Sequence, residues 1–229
     1  MHPLRTALLS LSCLIAVPAI GEDLPSFGDS SSGIVSQREE RELGHAYLSI
    51  IRGQTAQIPD PLLKNYLEDT VYRLAESSQV QDPRFSFILL KSPQLNAFAA
   101  PGGIIGVNGG LFLYAQNEGE FASVLAHELA HLSQRHFARG LEARQQMQIP
   151  MMAAMLGGII AMAAGAGDAG VAAIASSQAA AMQAQQRFSR QNEQEADRIG
   201  MQTLGNAGYD PRSMPDMFNR LMSQYRYNS

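Results

Sequence analysis

The segment His127-Glu128-Leu129-Ala130-His131 contains the residue types and the spacing of a catalytic metal site. Residues four apart lie on one face of a helix, so the two imidazoles can bind the same zinc ion, one per chain. Glu128 follows the first histidine directly and can reach a water molecule at an open coordination position. These side chains predict metal-assisted hydrolysis, in which zinc polarises a carbonyl group and Glu128 takes the proton of the water.

A catalytic zinc ion needs a third protein ligand, and the sequence offers few candidates. The only cysteine, Cys13, lies in the N-terminal leader described below. His136 would lie roughly 140° around the same helix from His131, so we expect it to face away from the site. His45 is far upstream on another predicted helix. A carboxylate from the cluster over 192–197 is therefore the favoured third ligand.

Helical phasing divides the carboxylates of this cluster into two groups. If residues 188–203 form a helix, Glu193 and Asp197 share one face at a spacing of four residues. One of them can bind the metal, and the other can accept the free N–H of a metal-bound imidazole, which fixes its tautomer. Glu195 lies roughly 200° around the helix from Glu193 and is expected to face solvent or a surface arginine. Alternatively, the whole cluster is an ordinary solvated helix face.

The N-terminus has the pattern of a secretory leader. Arg5 gives a short basic region, residues 7–17 are apolar, and Ala19-Ile20-Gly21 carries the small residues that signal peptidase requires. We expect cleavage near Gly21-Glu22. The apolar run is too short for a membrane-spanning helix.

The predicted division of the chain is a signal peptide over 1–21, a flexible segment over 22–35 and one domain over 36–229. The net charge of −4, from 21 acidic and 17 basic side chains, argues against nucleic acid as a partner. Cys13 is lost with the leader, and a mature chain without cysteine fits an oxidising periplasm without the need for disulfides.

The two motifs together resemble those of a known family. H-E-x-x-H, followed by E-x-x-x-D from Glu193 to Asp197, is similar to the zinc metallopeptidases that include HtpX and the CAAX-prenyl endopeptidases. The stretch Asn96–Gly103 resembles the substrate-side strand of that family. The resemblance covers about residues 36–225. With the leader, it is nearest to the BepA-like periplasmic branch, which is implicated in assembling outer-membrane proteins.

The resemblance implies a zincin-like metallopeptidase domain with particular site residues. The implied zinc ligands are His127, His131 and Glu193. Glu128 is then the catalytic base, and Asp197 lies behind a ligating histidine. BepA-like proteins continue into a histidine-containing loop and a tetratricopeptide-repeat domain, and this sequence ends before either. The chain is expected to be either a fragment or a short paralogue.

The remaining sequence predicts an α+β, mainly helical domain with a small β-sheet beside the active-site helix. Asn117, with Glu120 as its capping-box partner, begins the helix that carries H-E-x-x-H. Capping signals also predict three further helices. One begins at Ser36 and extends to about Arg52, the next begins at Asp60-Pro61 and extends to about Ser78, and the last begins at Asp210-Pro211.

Three short segments predict the strands of the sheet. Residues 85–90 are rich in aromatic and β-branched side chains, and residues 96–100 and 104–107 flank a Pro-Gly-Gly turn as a hairpin. A peptidase can hold an extended substrate against an exposed sheet edge through main-chain hydrogen bonds. We expect that edge to contain Asn96, Ala97, Phe98 and Ala99. Alternatively, this is an ordinary strand whose apolar residues pack into the core.

An Ala/Gly/Met-rich stretch, Met151–Met182 within a helical insert over 147–186, separates the two motifs. We expect two helical segments joined at the glycines, with Asp168 capping the second and neither long and apolar enough to span a membrane. Its methionines suit a mobile lid or an adaptable docking surface, and peripheral membrane contact is one role that this pattern allows. The competing interpretation is helix-on-helix core packing by small residues.

We expect a periplasmic zinc endopeptidase that hydrolyses unfolded or misassembled proteins, particularly outer-membrane proteins. The resemblance implies outer-membrane assembly machinery as a further partner. Arg190, three residues before Glu193 on the same helix face, is expected either to stabilise the oxyanion or to pair with a carboxylate. The competing hypothesis is a zinc-stabilised chaperone or scaffold with little peptidase activity. A structural zinc site, however, is usually closed by four protein ligands.

Overall fold

The computed structural model describes residues 35–227, with side chains described up to residue 223. The predicted signal peptide and all but the last residue of the segment over 22–35 lie outside the described residues. The helices are α1 (Gln37–Gln54), α2 (Pro61–Glu76), α3 (Gly109–Tyr114), α4 (Glu118–Ser133), α5 (His136–Ala163), α6 (Gly167–Asn206) and α7 (Ser213–Tyr227). The strands are β1 (Ser86–Leu90), β2 (Ala97–Ala100) and β3 (Ile104–Asn108). The predicted α+β, mainly helical class is confirmed.

Three of these helices begin at side-chain caps where the sequence predicts them. Ser36 forms a complete capping box at the start of α1, and Asp60 accepts two backbone N–H groups at the start of α2. Asn117 caps α4 by accepting the Glu120 N–H at 2.9 Å. The Glu120 carboxylate accepts the Gln116 N–H at 2.8 Å instead of reaching back to Asn117. The predicted capping box of α4 is therefore only half formed.

The three strands form one sheet in the order β1-β3-β2. β1 runs parallel to β3, and β2 runs antiparallel to it, which confirms the predicted hairpin. Gly102 and Gly103 turn the chain between β2 and β3 with φ angles of 78° and 81°, in a region that other residues rarely adopt. This topology leaves β2 at one edge of the sheet, where it packs beside α4.

Helix α4 lies at the centre of the hydrophobic core. Phe121, Leu125 and Leu129 on this helix are at most 3% exposed. They belong to one cluster with Val107 of β3 and Leu204 of α6, which joins the sheet to the surrounding helices. Truncating a leucine buried in this way to alanine typically costs about 2–5 kcal/mol. The helix that carries H-E-x-x-H is therefore tightly packed on the side that faces away from the motif.

A sharp turn separates α4 from α5. Arg135 adopts the left-handed conformation, with φ 50° and ψ 41°, which is strained for a residue with a side chain. Its guanidinium donates to the Val35 carbonyl at 2.7 Å and pairs with Glu40 at 3.4 Å. The prediction that His136 faces away from the site assumed one continuous helix, and it is wrong. The turn redirects the chain, so that His136 begins α5 and is buried.

The Ala/Gly/Met-rich stretch forms the distal halves of α5 and α6, which pack against each other as a helical hairpin. The predicted join at glycines is confirmed at Gly165, which has a φ of 89°. Helix α5 passes through Gly157-Gly158 without a break. Gly158 allows α6 to approach closely, since a Cβ there would lie 2.6 Å from Ile174. The N-cap of α6 is Ala166 and makes no side-chain cap, so the predicted cap by Asp168 is wrong.

Helix α5 is long and apolar enough to cross a membrane by length and composition. This differs from the sequence-based expectation, because the helix runs without interruption from His136 to Ala163 and so begins well before the Ala/Gly/Met-rich stretch. Most of its distal half is exposed. Large apolar side chains on its outer surface are Ile149, Met152, Leu156, Ile159 and Ile160.

Candidate active site

Three side chains from α4 and α6 bring metal-binding atoms together. The Nε2 atoms of His127 and His131 lie 3.0 Å apart. The Glu193 carboxylate lies 3.5 Å from the first and 3.8 Å from the second of these nitrogens. Ligands about 2.1 Å from a tetrahedral metal ion would be roughly 3.4 Å from one another, so the spacing of these atoms fits a single ion. They form the group that the sequence predicted.

The close approach of α6 to α4 depends on a residue without a side chain. Gly200 is seven residues after Glu193 and lies against His127, where an added Cβ would be 3.1 Å from the histidine Cα. A larger residue would separate the two helices and move the carboxylate away from the imidazoles. The sequence contains a signal for this contact, since residues seven apart share a helix face.

Asp197 lies behind the first histidine of the motif. Its Oδ1 atom is 3.0 Å from Nδ1 of His127, on the side of the ring opposite to the cluster of metal-binding atoms. The Nδ1 atom is buried and has no well-aligned hydrogen bond within residues 35–227. The predicted spacing of four residues therefore places Glu193 at one ring nitrogen and Asp197 near the other.

His131 is supported from behind by His136 and Glu195, both of which were expected to face away from the site. The Nδ1 atoms of His131 and His136 are 2.9 Å apart, and Nε2 of His136 is 3.2 Å from the Glu195 carboxylate. Arg139 donates to the same carboxylate at 2.9 Å. Glu195 thus faces an arginine, as predicted, but its side chain is only 18% exposed. The local sequence does not predict the contact between His136 and Glu195, because that contact depends on the turn between α4 and α5.

The protonation of the two central side chains follows from their surroundings. Burial, with the neighbouring His127 and His136, lowers the pKa of His131 to about 3, so this imidazole is neutral and able to bind a metal. Burial raises the pKa of Glu128 to about 7, and the nearby Glu193 acts in the same direction. The Ala99 N–H opposes this shift by donating to Glu128 Oε2 at 2.9 Å. A bound cation would also favour the charged carboxylate.

A groove passes over these residues, with α4 on one side and β2 on the other. Ala97, Phe98 and Ala99 line it, whereas Asn96 precedes the strand and does not. The Phe98 ring packs over Gly106 of β3 and is half-buried. Arg190 lies exposed on α6 outside the groove lining. The structure therefore brings together the predicted site residues except Asn96 and Arg190.

Comparison with known proteins identifies the group to which this arrangement belongs. The model of Peptidase family M48 matches residues 61–225. The beta-barrel assembly-enhancing protease of Escherichia coli strain K12 is 37% identical over 229 residues, covering 96% of this chain and 47% of that protein. The protein of the same name from Yersinia pestis is 40% identical over 207 residues, covering 90% of this chain and 42% of that protein.

A more distant relative is the mitochondrial metalloendopeptidase OMA1 of Arabidopsis thaliana, which is 28% identical over 150 residues. That match covers 64% of this chain and 28% of the plant protein. The chain spans about half the length of the beta-barrel assembly-enhancing proteases that it matches. Because the family model covers most of the sequence, including the H-E-x-x-H and E-x-x-x-D motifs, the chain belongs to Peptidase family M48.

Proposed function

We propose that this protein is a zinc-dependent endopeptidase. The observation that carries the proposal is the convergence of His127, His131 and Glu193 beside Glu128 on the floor of a groove. Membership of family M48 implies a catalytic metal. A catalytic zinc typically has three protein ligands, here two imidazole nitrogens and one carboxylate, and an open fourth position. A structural zinc usually has four protein ligands. This favours an enzyme over a scaffold that is merely stabilised by zinc.

The proposed reaction assigns a separate task to each part of the site. His127, His131 and Glu193 would hold the zinc ion, which when bound would polarise the scissile carbonyl and lower the pKa of a water molecule. Glu128 takes a proton from that water and delivers it to the leaving amine. Asp197 holds His127 so that its Nε2 lone pair faces the zinc-binding position. Arg190, which lies outside the groove, has no part in these steps.

The exposed edge of β2 suits an extended polypeptide substrate. A segment that adds to this edge forms hydrogen bonds through its main chain, which any unfolded sequence can supply. The short side chains of Ala97 and Ala99 leave space for the backbone of such a segment. We therefore propose that the substrates are unfolded or misassembled proteins, bound as strands along the groove.

The names of the relatives guide a proposal about the cellular role. The bacterial relatives are called beta-barrel assembly-enhancing proteases. Together with the predicted N-terminal leader, this supports a periplasmic location, with substrates and partners in the assembly of outer-membrane proteins. The exposed apolar surface of the distal α5/α6 hairpin supports a docking role for that segment, including peripheral contact with a membrane.

Replacement of Glu128 tests the proposal most directly. Glu128→Gln should retain zinc near one ion per chain and lose hydrolysis of unfolded casein, because an amide cannot accept the proton of the water. The measurements are zinc content by atomic absorption and casein cleavage over time. His45→Ala, a change at an exposed histidine of α1, is the control. Casein cleavage by Glu128→Gln at the rate of the control would show that the base is wrongly assigned.

A further inference from the structure

His136 occupies a position between a proposed metal ligand and a carboxylate. One of its ring nitrogens is 2.9 Å from Nδ1 of His131, and the other is 3.2 Å from Glu195 Oε2. Its side chain is only 5% exposed. A buried imidazole must satisfy both nitrogens with partners, and His136 does so through two residues from two other helices.

The chemistry of the partners allows one consistent placement of the protons. Glu195 only accepts hydrogen bonds when ionised, and Arg139 donates to it at 2.9 Å, which keeps it ionised. The ring nitrogen of His136 that faces Glu195 must therefore carry the hydrogen. In a neutral imidazole the other nitrogen is then an acceptor, so the hydrogen in the 2.9 Å contact belongs to Nδ1 of His131. That tautomer of His131 leaves the Nε2 lone pair facing His127 and Glu193.

The two ligating histidines thus have different kinds of support. His127 has Asp197 directly beside its Nδ1, at 3.0 Å. His131 has no carboxylate beside its Nδ1 within the described residues, and His136 fills that place. We propose that Glu195 acts through His136 to fix the tautomer and the ring orientation of His131, and that Arg139 holds Glu195 in position. These are positioning residues, and the inference rests on the proposed role of His131 as a zinc ligand.

The test compares variants of His136 that differ only in what they can hydrogen-bond. His136→Phe retains a planar ring but offers no hydrogen bond, so zinc affinity should fall by about 10–100-fold, the usual loss when a partner of this kind is removed. His136→Gln, whose amide can accept at one end and donate at the other, should recover part of the affinity. Glu195→Ala should weaken zinc binding as His136→Phe does. The measurements are zinc affinity by chelator competition and the visible absorption spectrum of the cobalt-substituted protein, which reports ligand orientation.

Two further variants separate this inference from the proposed function. His131→Ala should lose zinc, and if it kept one ion per chain the proposed metal site itself would be wrong. His45→Ala should leave affinity and spectrum unchanged. If His131→Ala loses zinc while His136→Phe and Glu195→Ala keep wild-type affinity and cobalt spectrum, the positioning role is refuted and the metal site stands. A lower unfolding temperature of the metal-free His136→Phe protein with unchanged affinity would also refute it, since His136 would then only stabilise the fold.

Discussion

A buried ion pair between α4 and α7 gives a prediction whose size follows from the structure. Glu120, in the first turn of α4, has a side chain only 4% exposed, and Arg220 of α7 is 28% exposed. The guanidinium donates to both carboxylate oxygens, at 2.8 and 3.2 Å. The change Arg220→Ala removes both hydrogen bonds and leaves Glu120 with only the Gln116 N–H. Breaking a buried pair from one side strands the other charge without compensation.

The expected loss of stability lies between two limits. Removing one partner of a fully buried pair costs about 3–5 kcal/mol, whereas exposed pairs contribute about 0–1 kcal/mol. Because Arg220 is partly exposed, we expect Arg220→Ala to lower the free energy of unfolding by about 2–3 kcal/mol. Arg212→Ala is the matched control, because Arg212 pairs with Asp210 at 2.7 Å and both side chains are exposed. The control should cost less than about 1 kcal/mol.

The pH dependence gives the second half of this prediction. Burial tends to raise the pKa of Glu120, but Arg220 and the Gln116 N–H outweigh it and hold the pKa below the usual 4.5. A carboxyl whose pKa is lowered by folding stabilises the protein above its unfolded pKa, and this stabilisation is lost as pH falls through the folded pKa. In Arg220→Ala only burial and one N–H remain, so Glu120 binds a proton more readily on acidification. The difference from the parent protein should therefore shrink between pH 7 and pH 4.

The assay is urea unfolding followed by circular dichroism, in a Glu128→Gln background that prevents self-digestion. A loss by Arg220→Ala no larger than that of Arg212→Ala would refute the reasoning. The reasoning would also be refuted if the difference in free energy of unfolding between Arg220→Ala and the parent grew on acidification, since the uncompensated charge of Glu120 would then not be its cause.

Two remaining predictions concern the metal ligands and the hairpin. Glu193→Ala should lose zinc almost as severely as His127→Ala, whereas Asp197→Ala should weaken zinc affinity only about 10–100-fold, as measured by chelator competition. An Asp197→Ala loss equal to that of Glu193→Ala would overturn the distinction between ligand and support. The second prediction replaces Met151, Met152 and Met155 of α5 by serine. This triple change should raise the KM for casein and leave the zinc content unchanged. A collapse of the unfolding temperature in that triple variant would identify the stretch as core instead.

Most of the predictions that succeeded depended on residues close together in the sequence, whereas the pairing of Glu193 with the two histidines was implied by the family resemblance. The spacing of His127 and His131, and of Glu193 and Asp197, specifies which side chains share a helix face. The caps at Ser36 and Asp60 similarly depend on residues a few positions away, as does the Pro-Gly-Gly turn of the hairpin. Such patterns are legible in a single sequence because the residues that determine them are adjacent in it.

The predictions that failed depended on distant partners. The position of His136 follows from the left-handed Arg135, whose contacts with Val35 and Glu40 lie about 100 residues away in the chain. The predicted capping box of α4 is likewise incomplete, and the Glu120 carboxylate pairs with Arg220, 100 residues away in the chain. In neither case does the local sequence contain the partner.

The hydrogen bond from Ala99 to Glu128 has a consequence for what the edge of β2 admits. An uncovered strand edge is usually a risk, because it can recruit any other strand and start aggregation. Here one main-chain donor near the groove is already taken by the Glu128 carboxylate, at 2.9 Å. An arriving strand must displace that carboxylate before it gains the donor. This edge of the sheet therefore offers one main-chain donor fewer to a passing strand than its length suggests.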